Sequence, residues 1–257
     1  MTASRLGTRA RKPSAGSVRI PHPPVEFPVP KFFLAFCLAL LTACTSAPAA
    51  TAKTSSPQAS DSARFEPEIA AFEQADSVVR RKPGGVVFVG SSSIRRWDSL
   101  GDDFPGTAVI NRGFGGSRLR DATYFADRIV LPYQPRAVVL YAGDNDLAEG
   151  RTPQQVRDDF AAFVAKVRAS LPQVRIAFVS IKPSPARQAL LPKARQTNDL
   201  VRAWAGRQKG VDYLDVFTPM LAQGQPRGEL FVEDRLHMNR SGYAIWAGVV
   251  GPWLAAL

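Results

Sequence analysis

The sequence predicts an α/β fold: a three-layer α/β/α sandwich in which a central, mostly parallel, five-stranded sheet lies between two layers of helices. Short, continuous apolar runs recur five times between residues 85 and 216, as is typical of strands buried on both faces. Amphipathic stretches with helical spacing separate these runs. Such an alternation of strands and helices favours a parallel sheet covered on both faces.

The elements follow in order. Residues 66–80 have the helical spacing of Ile69, Phe72 and Val78, and the long predicted helix 152–171 has Pro153 at its first position, where proline is favoured. The predicted strands are apolar runs of five to eight residues: 85–90, 107–111, 136–142, 174–181 and 211–216. The predicted helices are 66–80, 118–130, 152–171, 191–208 and 240–254.

Composition narrows the class of protein. The chain has 257 residues, of which 45% are hydrophobic and 21% charged, which is ordinary for one globular domain. Two Cys exclude a disulfide-stapled scaffold and a four-Cys zinc site. The net charge of +11 raises nucleic acid as a partner, but residues 1–43 carry six Lys/Arg and one acidic residue, so only +6 remains beyond them. The basic residues there are scattered, which argues against nucleic-acid binding.

The first sixty residues do not have the pattern of a fold. Residues 1–30 are rich in Arg, Pro and Ser, and Lys31 then precedes an apolar run, 32–41, that is shorter than the roughly 20 residues of a membrane-spanning helix. The run suits a signal peptide. The unusual length before Lys31 is compatible with a true start further along, near Val25 or Val29.

Leu41-Thr42-Ala43-Cys44 resembles the lipobox of bacterial lipoproteins. The resemblance implies cleavage before Cys44 and lipidation of that residue, and Thr45 in place of Asp implies the outer membrane, with the domain facing the periplasm. An uncleaved anchor or an ordinary signal peptide remain alternatives. We therefore predict a leader (1–43), a lipidated Cys with a flexible Ala/Ser/Thr/Pro-rich linker (44–62), and a folded domain (63–257).

Chemistry-bearing residues follow the predicted strands, at the sheet edge where ligands bind in such folds. They form four blocks, and each block taken alone could have a purely structural role. A Ser cluster can cap a helix, a Gly-rich loop can simply form a turn, and Asp-Asn-Asp is common at helix starts. The blocks are Gly90–Ile94, Asn111–Ser117, Gly143–Asp146 and Asp234–His237.

Together, in this order, the four blocks resemble the SGNH hydrolases, also called the GDSL-type lipase and esterase family. The resemblance covers nearly all of residues 84–257 and implies a flavodoxin-like sandwich. The first block departs from the family's Gly-Asp-Ser pattern, because Ser91 stands where the family has Asp. Alignment on Gly90 implies Ser92 as the nucleophile. The last block implies Asp234 and His237 as the other catalytic residues.

The oxyanion hole that the resemblance implies consists of the Ser92 and Gly116 backbone N–H groups and the Asn145 side chain. Gly115 is the alternative register for the glycine. Such donors stabilise the negative charge that develops on an ester carbonyl. No metal or cofactor is implied.

The base can be argued from the residues themselves. The chain has two His, and His22 lies in the predicted leader, so a His base in the domain must be His237. Asp234 precedes it by one turn and could orient the ring. Glu233 is adjacent rather than one turn away, and we interpret it as a solvated charge.

The prediction is a serine ester hydrolase that acts on a small-molecule or glycan ester, with short acyl groups such as acetyl favoured because no lid insertion is evident. A catalytically silent envelope lipoprotein that binds carbohydrate is one alternative. A phosphate or nucleotide binder built on 113–116 is another, but the loop lacks the spacing of a P-loop. The oligomeric state is not predicted.

Several residues near the blocks have no firm role. Asp144 and Asp146 could shape their loop or cap the next helix. Arg95, Arg96 and Trp97 could line a substrate pocket, or be solvated arginines and a partly buried tryptophan. The loop 180–187 follows the fourth strand on the substrate side and is assigned no role.

Overall fold

The computed structural model describes residues 61–79 and 81–257. The predicted leader, the lipidation candidate Cys44 and the predicted linker up to residue 60 lie outside the described residues. Ser62, the last residue of the predicted linker, is buried, and its hydroxyl donates to Asp121 Oδ1 over 2.6 Å. None of the described helices combines the length and the apolar character that a transmembrane span requires.

A five-stranded, wholly parallel sheet forms the centre of the described part, with the strand order β2-β1-β3-β4-β5. This arrangement confirms the predicted α/β sandwich. The chain leaves β1 toward β2 on one side and returns to β3 on the other, which makes the crevice beside β1 the expected place for a site. The strands are β1 (Val86–Gly90), β2 (Val109–Gly113), β3 (Ala137–Tyr141), β4 (Arg175–Val179) and β5 (Val211–Leu214).

Helices cover both faces of the sheet. Val87 and Val89 point into an apolar cluster with α1 and α4–α8, whereas Val86 and Phe88 point into a second cluster with α2, α3 and α9. The alternation follows from the two-residue period of a strand. The helices are α1 (Glu66–Val78), α2 (Ser92–Arg95), α3 (Leu100–Asp103), α4 (Leu119–Tyr124), α5 (Ala126–Ile129), α6 (Asp144–Ala148), α7 (Pro153–Ser170), α8 (Leu191–Ala205) and α9 (Arg240–Ala255).

The second strand was expected at 107–111 and lies at 109–113, two residues further along. It includes Arg112, which is buried and donates to Asp76 over 2.6 Å. The predicted helix 118–130 is divided into α4 and α5 at Phe125, whose backbone (φ −91°, ψ 3°) leaves the helical conformation. The other predicted elements agree with the structure to within three residues at each end. A small hairpin, β6 (Leu221–Ala222) with β7 (Gln225–Pro226), was not predicted.

Candidate active site

Ser92 stands at the sharp turn from β1 into α2. The turn begins at Gly90, whose φ of +139° and close approach to the Tyr141 carbonyl leave no room for a side chain. The Ser91 N–H then donates to the Tyr141 carbonyl over 2.9 Å, which fastens the turn to β3. Ser92 is half-buried, while Ser91 and Ser93 are buried. The turn therefore presents the Ser92 side chain at the carboxyl edge of the sheet.

His237 reaches Ser92 from a loop far along the chain. Its Nε2 lies 2.9 Å from Ser92 Oγ, and its Nδ1 lies 2.6 Å from Asp234 Oδ2. The loop is held in place because Asp234 Oδ1 accepts the N–H groups of Leu236 (2.9 Å) and His237 (2.8 Å). Asp234 Oδ1 thus fixes the backbone of the loop, and Oδ2 binds the imidazole of His237.

The electrostatics of Asp234 fix the direction of this hydrogen-bond chain. The pKa of Asp234 is held well below its usual range, above all by the backbone N–H of His237, with further contributions from its side chain and from the Leu236 N–H. An ionised carboxylate can only accept, so in the neutral imidazole Nδ1 carries the proton and Nε2 accepts from the Ser92 hydroxyl. A general base needs this tautomer.

Gly116 and Asn145 follow the two strands that flank β1. Gly116 has a φ of +79° and open space where a Cβ would lie, and Asn145 Nδ2 donates one hydrogen to the Ser117 carbonyl over 3.0 Å. Within the described residues, neither the Ser92 N–H nor the Gly116 N–H has an acceptor. These two donors and the second Nδ2 hydrogen of Asn145 are therefore available to an oxyanion.

Sequence reasoning missed a network of cations beneath Asn145. Arg187 Nη2 donates to Asn145 Oδ1 over 2.8 Å, and Lys182 Nζ lies 3.0 Å from Asp144 Oδ2 and 3.1 Å from the Tyr141 hydroxyl. Burial alone would raise the pKa of Asp144, but Lys182 and Arg187 outweigh it and hold the pKa below its usual value. Both cations belong to the loop 180–187, and their position after a strand was the only available signal.

Asp146 has a structural place beside the site. It is fully buried, and its Oδ1 accepts the N–H of Leu119, the first residue of α4, over 3.2 Å. Its Oδ2 has no partner among the described residues, and burial raises the pKa of the carboxyl to about 7. Asp146 therefore joins α6 to the start of α4, and Asp144 pairs with the buried Lys182.

The residues around Ser92 divide into core and surface. Trp97 is 1% exposed and packs edge-to-face against Phe88 and Trp246 in the core, so it is not the partly buried tryptophan of the alternative interpretation. Arg95 and Arg96 are exposed. Arg95 lies against Gly115, and Arg96 Nη1 lies 3.6 Å from Asp234 Oδ2. Ser91 occupies the N-cap position of α2, but its hydroxyl does not cap the helix, in contrast to the capping alternative. Glu233 is exposed.

A cleft of about 450 Å³ opens at Gly116 and Asn145. Five of its nine lining residues are charged or polar, and Phe65 and Ala148 supply apolar side chains. The lining residues are Arg64, Phe65, Glu68, Gly115, Gly116, Asn145, Ala148, Glu149 and Arg187. Within the described residues, no cluster of His, Cys, Asp and Glu side chains could hold a metal ion.

The parallel sheet and the Ser–His–Asp hydrogen-bond chain at its carboxyl edge are typical of serine hydrolases that act on ester bonds. The GDSL-like Lipase/Acylhydrolase family matches residues 76–245, and the chain belongs to this family. It is therefore an ester-bond hydrolase.

Similar proteins agree with this assignment. The human platelet-activating factor acetylhydrolase IB subunit alpha1 is 28% identical over 181 residues, which cover 66% of this chain and 74% of that protein. A Streptococcus pneumonia structure named provisionally as a platelet activating factor covers 76% of this chain and 95% of its own, with 19% identity and a TM-score of 0.67. A carbohydrate esterase family 3 protein from Talaromyces cellulolyticus covers 67% and 97%, with 19% identity and a TM-score of 0.54. The two structures show the same fold.

Proposed function

We propose that this hydrolase cleaves carboxylic esters through an acyl intermediate on Ser92. The observation that carries the proposal is the continuous chain of hydrogen bonds from Ser92 Oγ through His237 to Asp234, over 2.9 and 2.6 Å. A serine hydroxyl becomes an effective nucleophile when a neighbouring base takes its proton, and His237 Nε2 is in place to do so. No cofactor is required.

The reaction follows from this geometry. Ser92 Oγ attacks the ester carbonyl while its proton passes to His237 Nε2, and Asp234 stabilises the imidazolium that results. The N–H groups of Ser92, Gly116 and Asn145 receive the negative oxygen of the tetrahedral intermediate. The imidazolium then gives its proton to the departing alcohol. Water, deprotonated by His237, attacks the acyl-serine. The imidazolium then returns its proton to Ser92 Oγ as the acyl–oxygen bond breaks, which releases the carboxylic acid and restores the enzyme.

The neighbouring serines, Ser91 and Ser93, provide control variants for a test of Ser92 as the nucleophile. Ser92→Ala should lower kcat for p-nitrophenyl acetate by about 10⁴-fold or more and abolish labelling by a fluorophosphonate probe. Ser91→Ala and Ser93→Ala remove buried hydroxyls that have no hydrogen-bond partner among the described residues, so both variants should retain labelling and most activity. Activity that survives in Ser92→Ala would refute the assignment. A wild type that neither reacts with the probe nor hydrolyses esters would favour the silent carbohydrate-binding alternative.

For the substrate, we propose a short acyl group, such as acetyl, on a carbohydrate or glycan. The cleft beside Gly116 and Asn145 supports this class, because charged side chains in its walls, such as Glu68 and Arg187, can form hydrogen bonds with a hydroxyl-rich alcohol. The names of the human acetylhydrolase and of the fungal carbohydrate esterase point the same way. Activity on p-nitrophenyl esters should fall as the acyl chain lengthens from two to twelve carbons, and acetylated oligosaccharides should release acetate. A preference for long chains would contradict the proposal.

For location, we propose that the protein is anchored by lipid on Cys44 in the cell envelope, at the outer membrane, with the domain in the periplasm. The support is the order of Lys31, the apolar run 32–41 and Leu41-Thr42-Ala43-Cys44.

A further inference from the structure

The loop after β4 provides a side chain that contacts the oxyanion candidate Asn145. Arg187 Nη2 donates to Asn145 Oδ1 over 2.8 Å, and Arg187 Nη1 lies 3.4 Å from Asp144 Oδ2. The guanidinium thus contacts the first two residues of α6 at once. Its side chain is 21% exposed and lies largely within the protein.

This contact determines which way the Asn145 amide faces. A guanidinium has donors only and the Ser117 carbonyl is an acceptor only, so Oδ1 must face Arg187 and Nδ2 must face Ser117. A flipped amide would set donors against donors at Arg187 and acceptors against each other at Ser117. With the amide fixed, the second hydrogen of Nδ2 stays directed away from both partners and free for an oxyanion.

Arg187 itself is held from two sides. Asp144, which faces it, is buried and anchored by Lys182, a side chain that is 1% exposed. The residue before Arg187 bonds to the catalytic loop, because the Ala186 N–H donates to the Arg235 carbonyl over 3.0 Å. The loop after β4 therefore connects the Asn145 side of the site with the Asp234–His237 side.

We propose that Arg187 is a positioning residue that holds the Asn145 amide in the orientation required to stabilise the oxyanion; this inference rests on the proposed function. The positive charge also polarises the amide through Oδ1 and strengthens the free N–H as a donor. Arg187 acts through Asn145, so its loss should lower kcat and leave KM for a neutral ester nearly unchanged, because the donor acts mainly in the transition state.

A double-mutant cycle in the full chain tests the proposal with p-nitrophenyl acetate. Asn145→Ala should lower kcat by about 100- to 1,000-fold. Arg187→Ala should lower kcat by about 10- to 100-fold, with KM within about twofold of wild type. In the Asn145→Ala background, Arg187→Ala should cost less than about twofold more, because the group that it positions is absent. If the kcat losses of Arg187→Ala and Asn145→Ala multiply in the double variant, the inference is overturned. An Arg187→Ala effect confined to KM would also overturn it, because it would indicate direct contact with the substrate.

Two further variants keep the test decisive. Arg187→Lys keeps the charge and can make one of the two contacts, so it should lose several-fold in kcat in the wild-type background and nothing in Asn145→Ala. It replaces Arg187→Ala in the cycle if the thermal midpoint shows that the alanine variant is unfolded. Arg195→Ala, an exposed arginine of α8 that packs on Phe217, controls for the loss of a positive charge and should retain wild-type kcat.

The outcomes separate this inference from the function on which it rests. Absence of Ser92-dependent hydrolysis in the wild type would overturn both. Ser92-dependent hydrolysis with independent Arg187 and Asn145 effects, or with no Arg187 effect, would overturn only the role of Arg187.

Discussion

Gly116 holds a left-handed backbone conformation, with a φ of +79°, that residues with a side chain adopt at a cost of roughly 1 kcal/mol. Open space surrounds the position of a Cβ at Gly116, so the cost is conformational and not steric. At Gly115, by contrast, a Cβ would lie 2.7 Å from Arg95 Cζ, the far end of a flexible and exposed side chain that can move away. Substitution of Gly116 should therefore disturb the backbone conformation, whereas substitution of Gly115 should disturb only the packing of Arg95.

We expect Gly116→Ala to lower kcat by about tenfold or more, since the Gly116 N–H would turn away from the oxyanion. The thermal midpoint should fall by only a few degrees. Gly115→Ala, the matched control, should keep most of its kcat. Steady-state kinetics and thermal unfolding of both variants measure this. The reverse result, with kcat lost in Gly115→Ala and kept in Gly116→Ala, would move the oxyanion glycine to the alternative register.

Single residues differ in how far the sequence could predict them. Ser92, Asp234 and His237 were candidates because they stand in short motifs after strands, and the structure brings His237 within hydrogen-bonding distance of both Ser92 and Asp234. Arg187 was not a candidate, because its contact with Asn145 joins two loops 42 positions apart. No local pattern encodes such a contact, which depends on where the strands before the two loops lie in the sheet.

At the scale of elements, the periodicity of apolar residues predicted most strands and helices, because burial along a strand or a helix leaves such a pattern in the sequence. Continuous apolar runs became strands and apolar stripes became helices, with the parallel order that alternation favours. Local patterns failed where a tertiary partner compensates for an unfavourable residue. Arg112 can lie within β2 because its buried guanidinium donates hydrogen bonds to Asp76 and to the Tyr133 hydroxyl. Phe125 interrupts a helical stretch where its ring packs against Phe114 in the core.

Asp146 is a buried carboxyl of α6 beside the start of α4, and its effect on folding stability should depend on pH. The pKa of Asp146 is about 7 in the folded protein against 3.8 for the free side chain, because burial disfavours its charge. The folded state therefore keeps a proton that the unfolded state loses between these values, so folding stability falls as pH rises, by up to about 1.4 kcal/mol per pH unit. The stabilising contribution is complete below pH 4 and is lost through pH 7.

We expect Asp146→Asn to remove this slope, because the amide oxygen can still accept from the Leu119 N–H and no charge develops. Urea unfolding of wild type and variant from pH 4 to pH 8 measures it, and the stability of the variant relative to wild type should rise with pH. Asp144→Asn is the opposite control: the pKa of Asp144 is lowered, so this substitution should destabilise more at pH 7 than at pH 3. Parallel pH curves for wild type and Asp146→Asn would contradict the prediction.

At the scale of the whole molecule, the chain enters the folded domain beside the cleft. Asp61 pairs with Arg118 and Arg120, and Ser62 bonds to Asp121. Arg64 and Phe65 then form part of the cleft wall. The sequence could place the start of the domain near here but not its proximity to the cleft, which depends on how α1 packs against the sheet. Cys44 lies 17 positions before Asp61, so even a fully extended segment spans only about 60 Å between them.

The proposed lipid on Cys44 should leave the chemistry at Ser92 unchanged. In a bacterial host, Cys44→Ala should lose incorporation of labelled palmitate and shift the protein from the membrane fraction to the soluble fraction. Its kcat on soluble p-nitrophenyl acetate should stay within about twofold of wild type, since the residues proposed to act lie between Ser92 and His237. Cys37→Ala, the matched control within the apolar run, should keep both label and membrane association. Palmitate incorporation that persists in Cys44→Ala and disappears in Cys37→Ala would refute the lipobox.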